Sequence, residues 1–240
     1  MLGYHLFLAQ GLDLSYRDPL TGGIAMLIRF QDVLDLGAKY GHKLTSVAHA
    51  GGHYAEELED YLAAGFDPIV FFEPLAANCD VIGEKLKQLD VRDRLKVQVF
   101  QAAVGNPDPT LVDRWVPIHI SSNEAQSSSL LKPSHHTVQY PHITFPDVTW
   151  VTLVAMDEAK LTPDLLAMDT QGYELEVLKG ATETLKSVKV VYTEVSNVPL
   201  YEGSALVEDL DTFLQPFGFK RVRTEWAGGT WGDAVYVRIA

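Results

Sequence analysis

The stretch "LTSVAHAGGHYAEELEDYLAAG", residues 44–65, switches periodicity in its middle. Leu44 to Ala50 are small and mostly apolar, as in a short buried strand. Ala55, Leu58, Tyr61 and Leu62 then recur at helical spacing until Gly65, a residue able to take the left-handed backbone that ends a helix. Between the two halves, Gly51 and Gly52 let the chain turn sharply and approach a ligand with no side chain in the way. Strand, glycine turn and helix make the first βα unit of an α/β domain.

The pattern repeats downstream. "PIVFFEP" (68–74) is a continuous apolar run, the mark of a parallel strand covered on both faces, and Pro74 stands where the first turn of a helix would begin. That helix carries Val81, Ile82, Leu86 and Leu89, and "LKVQVFQAAVG" (95–105) supplies a third strand. Alternation resumes with "DLLAMD" (164–169), a helix carrying Leu175, Leu178, Ala181 and Leu185, and "VKVVYTEV" (188–195). A helix with Leu206, Leu210, Phe213, Leu214 and Phe217 follows, and "FKRVRTEW" (219–226) and "DAVYVRIA" (233–240) are joined through the glycine-rich "AGGTWG". The expectation is an α/β fold: a doubly wound, mainly parallel sheet closed by a C-terminal antiparallel hairpin.

Residues 105–150 break the rhythm. They hold six of the twelve prolines and the serine-rich "SSNEAQSSSLLKPSHH" (121–136), so they read as loops with short strands, serving as a lid or as an ordered connection. "IAMLIRFQDVLDLGAKYG" (24–41) reads as a helix, with Ile24, Leu27, Ile28, Val33 and Leu34 near one face. It is expected to pack on the domain, a pocket cap or a homodimer surface being the alternatives. The organisation expected is an N-terminal extension over 1–43 and one domain over 44–240.

The 240 residues, 47% hydrophobic, suffice for one core. A net charge of −13 repels phosphate backbones, and the longest basic run, "KRVR" (220–223), reads as a water-facing strand, so no nucleic-acid partner is expected. Cys79 is the lone cysteine, which rules out an internal disulfide and fits a reducing compartment. With no basic segment before the short apolar stretch Leu6–Ala9 and no membrane-length apolar run, the expectation is a soluble, cytoplasmic protein without a membrane partner.

In open parallel sheets, ligands bind beyond the carboxyl ends of the strands. Those ends are Gly51, Gly52 and His53; Glu73; Gln101 to Ala103; Asp169; and Glu194. Glu73 lies 21 positions after Gly52, where a carboxylate accepts hydrogen bonds from ribose hydroxyls, so an adenosine-containing ligand is indicated. A nicotinamide-dependent oxidoreductase would share this geometry, but the G-x-G-x-x-G series is missing, as is a G-x-x-x-x-G-K-[ST] loop. His49 and His53 flank two glycines rather than sharing a helix face, and His135 and His136 are adjacent, so no metal site is expected.

Taken in order, the strand ends resemble the FkbM-type methyltransferases that use S-adenosylmethionine, from about Leu44 to the C-terminus. "HAGGHYAEE" is similar to the family's D-V-G-A-[NH]-x-G, with His49 in place of its aspartate and Ala55 in place of its second glycine. "VFFEP" is similar to its F-E-P, "QAAVGN" to its A-V-G-[DN], and "SSSLL" (127–131) to a serine-leucine segment. "DLLAMDTQGYELEVLKGA" resembles D-L-I-K-I-D-x-E-G-x-E-x-x-V-L-x-G-A: Asp169, Gly172, Glu174, Leu178, Gly180 and Ala181 match, while Ala167 and Gln171 replace lysine and glutamate. "YTEVS" and "GDAVYVR" also fit.

The resemblance implies a Rossmann-like methyltransferase fold and S-adenosylmethionine as cofactor. It places Glu73 and Pro74 at the ribose, Gln101 and Ala102 at the adenine, and Gly51, Gly52 and His53 near the amino-acid end. Methyl transfer to oxygen requires positioning of the acceptor and, for a hydroxyl, a base. Asp169 is the first candidate for that base, with N-capping of the next helix as its bland alternative. Gln171 and Glu194 follow as acceptor-binding or loop-ordering groups. The implied activity is O-methylation of a sugar, glycan or secondary metabolite. The alternatives are a binding module weakened in catalysis by the changes at 167 and 171, and the oxidoreductase.

Overall fold

The computed structural model describes residues 26–110 and 112–239. Seven strands form the central sheet: β1 (Val47–Ala50), β2 (Ile69–Phe72), β3 (Val97–Phe100), β7 (Leu165–Met168), β8 (Val190–Ser196), β9 (Phe219–Ala227) and β10 (Trp231–Arg238). Their order is β3-β2-β1-β7-β8-β10-β9, parallel throughout except that β10 runs antiparallel to both neighbours. The fold is thus Rossmann-like, and it ends in the antiparallel hairpin that the glycine-rich connection announces. Strand order reverses between β1 and β7, which fixes where a ligand crevice opens.

Two cores sandwich the sheet because successive strand residues point to opposite faces. Val47, Ile69, Phe71, Leu165, Ala167 and Val190 face α1 (Phe30–Lys39), α2 (Leu58–Ala63) and α3 (Ala76–Gln88), where Val33, Tyr61 and Ile82 are fully buried. Ala48, Ala50, Val70, Phe72, Leu166 and Met168 face α6 (Glu174–Lys179) and α7 (Val207–Leu214), through Val177, Leu178, Leu210 and Leu214. Covered on both faces, β2 and β7 must read as unbroken apolar runs, and they do, while β1 carries one buried polar residue, His49. No helix among the described residues is long and apolar enough to cross a membrane.

Four local differences separate structure from expectation. The helical pattern starting at Ala55 becomes regular only at Leu58, because Ala55 itself has φ of 53°. The run 95–105 is two strands, β3 and the two-residue β4 (Ala103–Val104), since the chain leaves the main sheet at Gln101. In the segment 105–150, β5 (Trp115–Ile120) and β6 (Asp147–Val154) pair antiparallel and join β4 in a second, three-stranded sheet, and α5 (His135–Gln139) is a single turn, as is α4 (Val91–Arg94) ahead of β3. The helix read over 24–41 runs from Phe30, with Ile28 buried just ahead of it; Ile24 lies outside the described residues.

The second sheet is seated on the first by a backbone contact. A Cβ on Gly180, after α6, would stand 1.7 Å from the Gly105 carbonyl oxygen that follows β4. Gly180→Ala must force these segments apart, and we expect it to lower the free energy of unfolding by about 1–3 kcal/mol in urea titration. A cost near zero would show that the two sheets are not locked there.

Candidate active site

The site begins where β1 and β7 end side by side. Gly51 has φ of 82°, and a Cβ there would fall 1.8 Å from the Asp169 carbonyl oxygen. Its N–H and that of Gly52 both donate to the Phe72 carbonyl, closing the turn against β2. His53, at φ 42°, is held at three points. Its N–H donates to Glu73 Oε2 at 2.8 Å, Nδ1 lies 2.7 Å from Glu56 Oε1, and Nε2 lies 2.9 Å from the Glu124 carbonyl oxygen. Burial lowers the His53 pKa, but the hydrogen bond and charge of Glu56 outweigh it and the net shift is upward. With an acceptor at each ring nitrogen, the imidazolium form satisfies both.

Glu73, at the tip of β2, is buried. Burial pushes its carboxyl up to about 7, against the N–H groups of Leu75 and His53 and the Asn78 amide, which favour the anion. Asp169, at the tip of β7, is raised by burial against the opposing effect of Gln171, whose Nε2 donates to Asp169 Oδ1 at 2.8 Å. The same Nε2 donates to Glu194 Oε2 at 2.9 Å. Glu194 is driven well above the carboxylate range by burial and by the charges of Asp169, Glu174 and Asp233.

These groups border one cavity of about 70 Å³, lined by Gly51, His53, Glu73, Pro74, Asp169 and Gln171 with an apolar flank of Leu75, Ala102, Ala103, Val104 and Ile118. Ala125, Gln126, Ser128, Ser129 and Leu130 of the strap 121–130 form one wall, tied down by the Glu124 contact and by Ser129 Oγ donating to the Gln171 carbonyl at 2.8 Å.

Seven of the residues singled out in the sequence therefore line the cavity: Gly51, His53, Glu73, Pro74, Ala102, Asp169 and Gln171. Glu194 reaches it through Gln171, Gly52 packs against Phe71, and Gln101 is exposed outside the lining. His49 is core rather than pocket: it is 2% exposed, its Nδ1 lies 3.2 Å from Tyr61 Oη, and burial drops its pKa to about 4. Sequence reasoning missed Asn78, Tyr173 and Tyr201. The last of these comes from a segment with no motif, and its hydroxyl donates to Gln171 Oε1 at 2.9 Å.

A reversal of strand order with a buried carboxylate at the second strand tip defines the class of Rossmann-like nucleoside-cofactor enzymes. Within it the chain belongs to the FkbM methyltransferases: the model of the methyltransferase FkbM domain matches residues 46–221, well over half of the chain. It is 38% identical to the 2-O-methyltransferase NoeI of Sinorhizobium fredii, over 61% of this chain and 60% of that relative's length. It also resembles the crystal structure of methyltransferase FkbM from Methylobacillus flagellatus, with a TM-score of 0.54 at 16% identity, covering 82% of this chain and 45% of that one. The chain thus spans less than two thirds of either protein.

So many buried acids set the sign of the pH response. Burial raises Glu57 to about 8 and Glu73, Glu174 and Asp233 to about 7, above their unfolded values. His49 and His136, both lowered by burial, act in the opposite sense only below about pH 6.5. Above that, the folded chain holds more protons than the unfolded one, and stability must fall as pH rises. We expect the melting temperature of the ligand-free protein to drop between about pH 6.5 and 8.5 and Glu57→Gln to flatten the upper part of the slope. A melting temperature that climbs over this interval would contradict the assignment.

Proposed function

We propose that this chain transfers a methyl group from S-adenosylmethionine to a hydroxyl oxygen of a sugar, glycan or secondary metabolite. The observation that carries the reading is a single cavity at the strand-order reversal with Glu73 on its wall and Asp169, bonded through Gln171 to Glu194, at another strand tip.

The chemistry of the donor set fits this cofactor. Glu73, already aimed by two backbone N–H groups, offers carboxylate oxygens to ribose hydroxyls, and the apolar flank from Leu75 to Ile118 offers a surface for a purine. S-adenosylmethionine supplies an electrophilic methyl group on a sulfonium cation. The carboxylates of Glu56 and Asp169 favour such a cation, and they would repel the pyrophosphate of a nicotinamide dinucleotide.

Asp169 is the group placed to orient the acceptor hydroxyl and to take its proton as the oxygen is alkylated. Tyr201, buried and hydrogen-bonded to Gln171, packs with His136 and Phe145 and so holds the Gln171 side chain beside Asp169. The 2-O-methyltransferase name of the NoeI relative supports oxygen as the acceptor atom.

Calorimetry should detect S-adenosylmethionine and its demethylated product but not NAD, with Glu73→Ala weakening the affinity about ten- to a hundredfold. On whichever member of a sugar and glycan panel responds, Asp169→Asn should cut turnover about 10²–10⁴-fold while cofactor affinity holds. Binding of NAD alone would sink the proposal, and cofactor binding without turnover on any acceptor would point to a binding module.

A further inference from the structure

Gln171 is fixed more completely than a loop residue needs to be. Both protons of its amide nitrogen are spent on carboxyl groups, at 2.8 Å to Asp169 Oδ1 and 2.9 Å to Glu194 Oε2. Its amide oxygen accepts from Tyr201 Oη at 2.9 Å, and its backbone carbonyl from Ser129 Oγ at 2.8 Å. One nitrogen within 2.9 Å of both acids holds the two carboxyl groups side by side. Two ionised carboxylates so placed repel, and a proton on one of them turns the repulsion into attraction.

The surroundings say which partner carries it. His53 faces Asp169 from the turn after β1, together with the Glu56 charge; Glu174 of α6 and Asp233 of β10 both face Glu194. Glu57, ahead of α2, feels Asp169 and Asp233, and Tyr201 lies beside Glu194, Asp169 and Glu174. Asp169 therefore faces a cation, and Glu194 faces other acids.

We propose that Gln171 is a positioning residue that clamps Asp169 and Glu194 as a pair sharing one proton, carried by Glu194, so that a single carboxylate is presented to the pocket. The pair stands on its own geometry; its use in catalysis rests on Asp169 being the acceptor's base. A third acid at 171 could donate at most one proton where the amide donates two, and its charge would crowd the same oxygens. The amide thus holds the pair where two bare carboxylates would repel.

Infrared difference spectroscopy on the ligand-free 240-residue chain tests this without any acceptor. The wild-type spectrum at neutral pH should contain a protonated-carboxyl band that Glu194→Gln removes. It should also contain a carboxylate band that Asp169→Asn removes. In Gln171→Met, which withdraws both donors, the pH midpoint of the Asp169 carboxylate band should rise by about one unit, a tenfold gain in proton affinity. Gln171→Glu, nearly isosteric, should move it the same way, and unchanged binding of the demethylated cofactor by calorimetry confirms an intact pocket. Loss of no protonated-carboxyl band in Glu194→Gln, or unmoved midpoints in both Gln171 variants, would overturn the proposal. If the bands behave as stated while Asp169→Asn retains full turnover, the pair stands and the base assignment falls.

Discussion

The site depends on one close approach, the backbone of Gly51 lying against the carbonyl of Asp169. β1 and β7 are neighbours in the sheet, yet the helices that follow them, α2 and α6, lie on opposite faces. At the tips of these strands the chain must therefore leave in opposite directions within a few ångströms. A side chain at 51 would pry the tips apart and carry His53 away from Glu73. The glycine matters first as a packing element between strands, and its service to a ligand follows from that.

The second organising fact is where the negative charge goes. A chain of net charge −13 could spread its acids over the surface, but Glu57, Glu73, Asp169, Glu174, Glu194 and Asp233 gather at the strand tips, where burial raises every one of them. Desolvating that many carboxyls opposes folding. Hydrogen bonds recover part of it: Glu174 accepts from the Thr170 N–H and hydroxyl and from the Gly172 N–H, and Asp233 accepts from the Ile28 N–H. What remains is a cluster of acids that give up protons as pH rises, a stability cost retained at the strand tips.

The strands of the doubly wound core were legible because each is covered on both faces and so is built mainly of apolar residues. Their tips were legible for the same reason: Glu73 and Asp169 are the first charges after unbroken apolar runs. The segment 105–150 was not. β5 and β6 bury Ile118, Val151 and Leu153 on one face and leave Trp115, Val148 and Trp150 more than half exposed on the other, so no clean alternation of polar and apolar residues marks them. His49, standing where the family's first-strand motif has an aspartate, is buried against Tyr61 and Phe71. Tyr201 could not be found from sequence, because only the tertiary fold brings it to Gln171.

The basic run 220–223 has a meaning at the far side of the sheet. β9 is an edge strand of nine residues, and an open edge of that length is a template on which other chains can add. Arg221 pairs with Asp211 of α7, and Arg223 with Asp32 of α1 and with Glu225, so the flanks of the edge are fenced by charges drawn from both helical layers. A strand from another molecule would have to thread between these ion pairs and desolvate them. The edge is thereby guarded against runaway strand-to-strand polymerisation, at the opposite end of the sheet from β3.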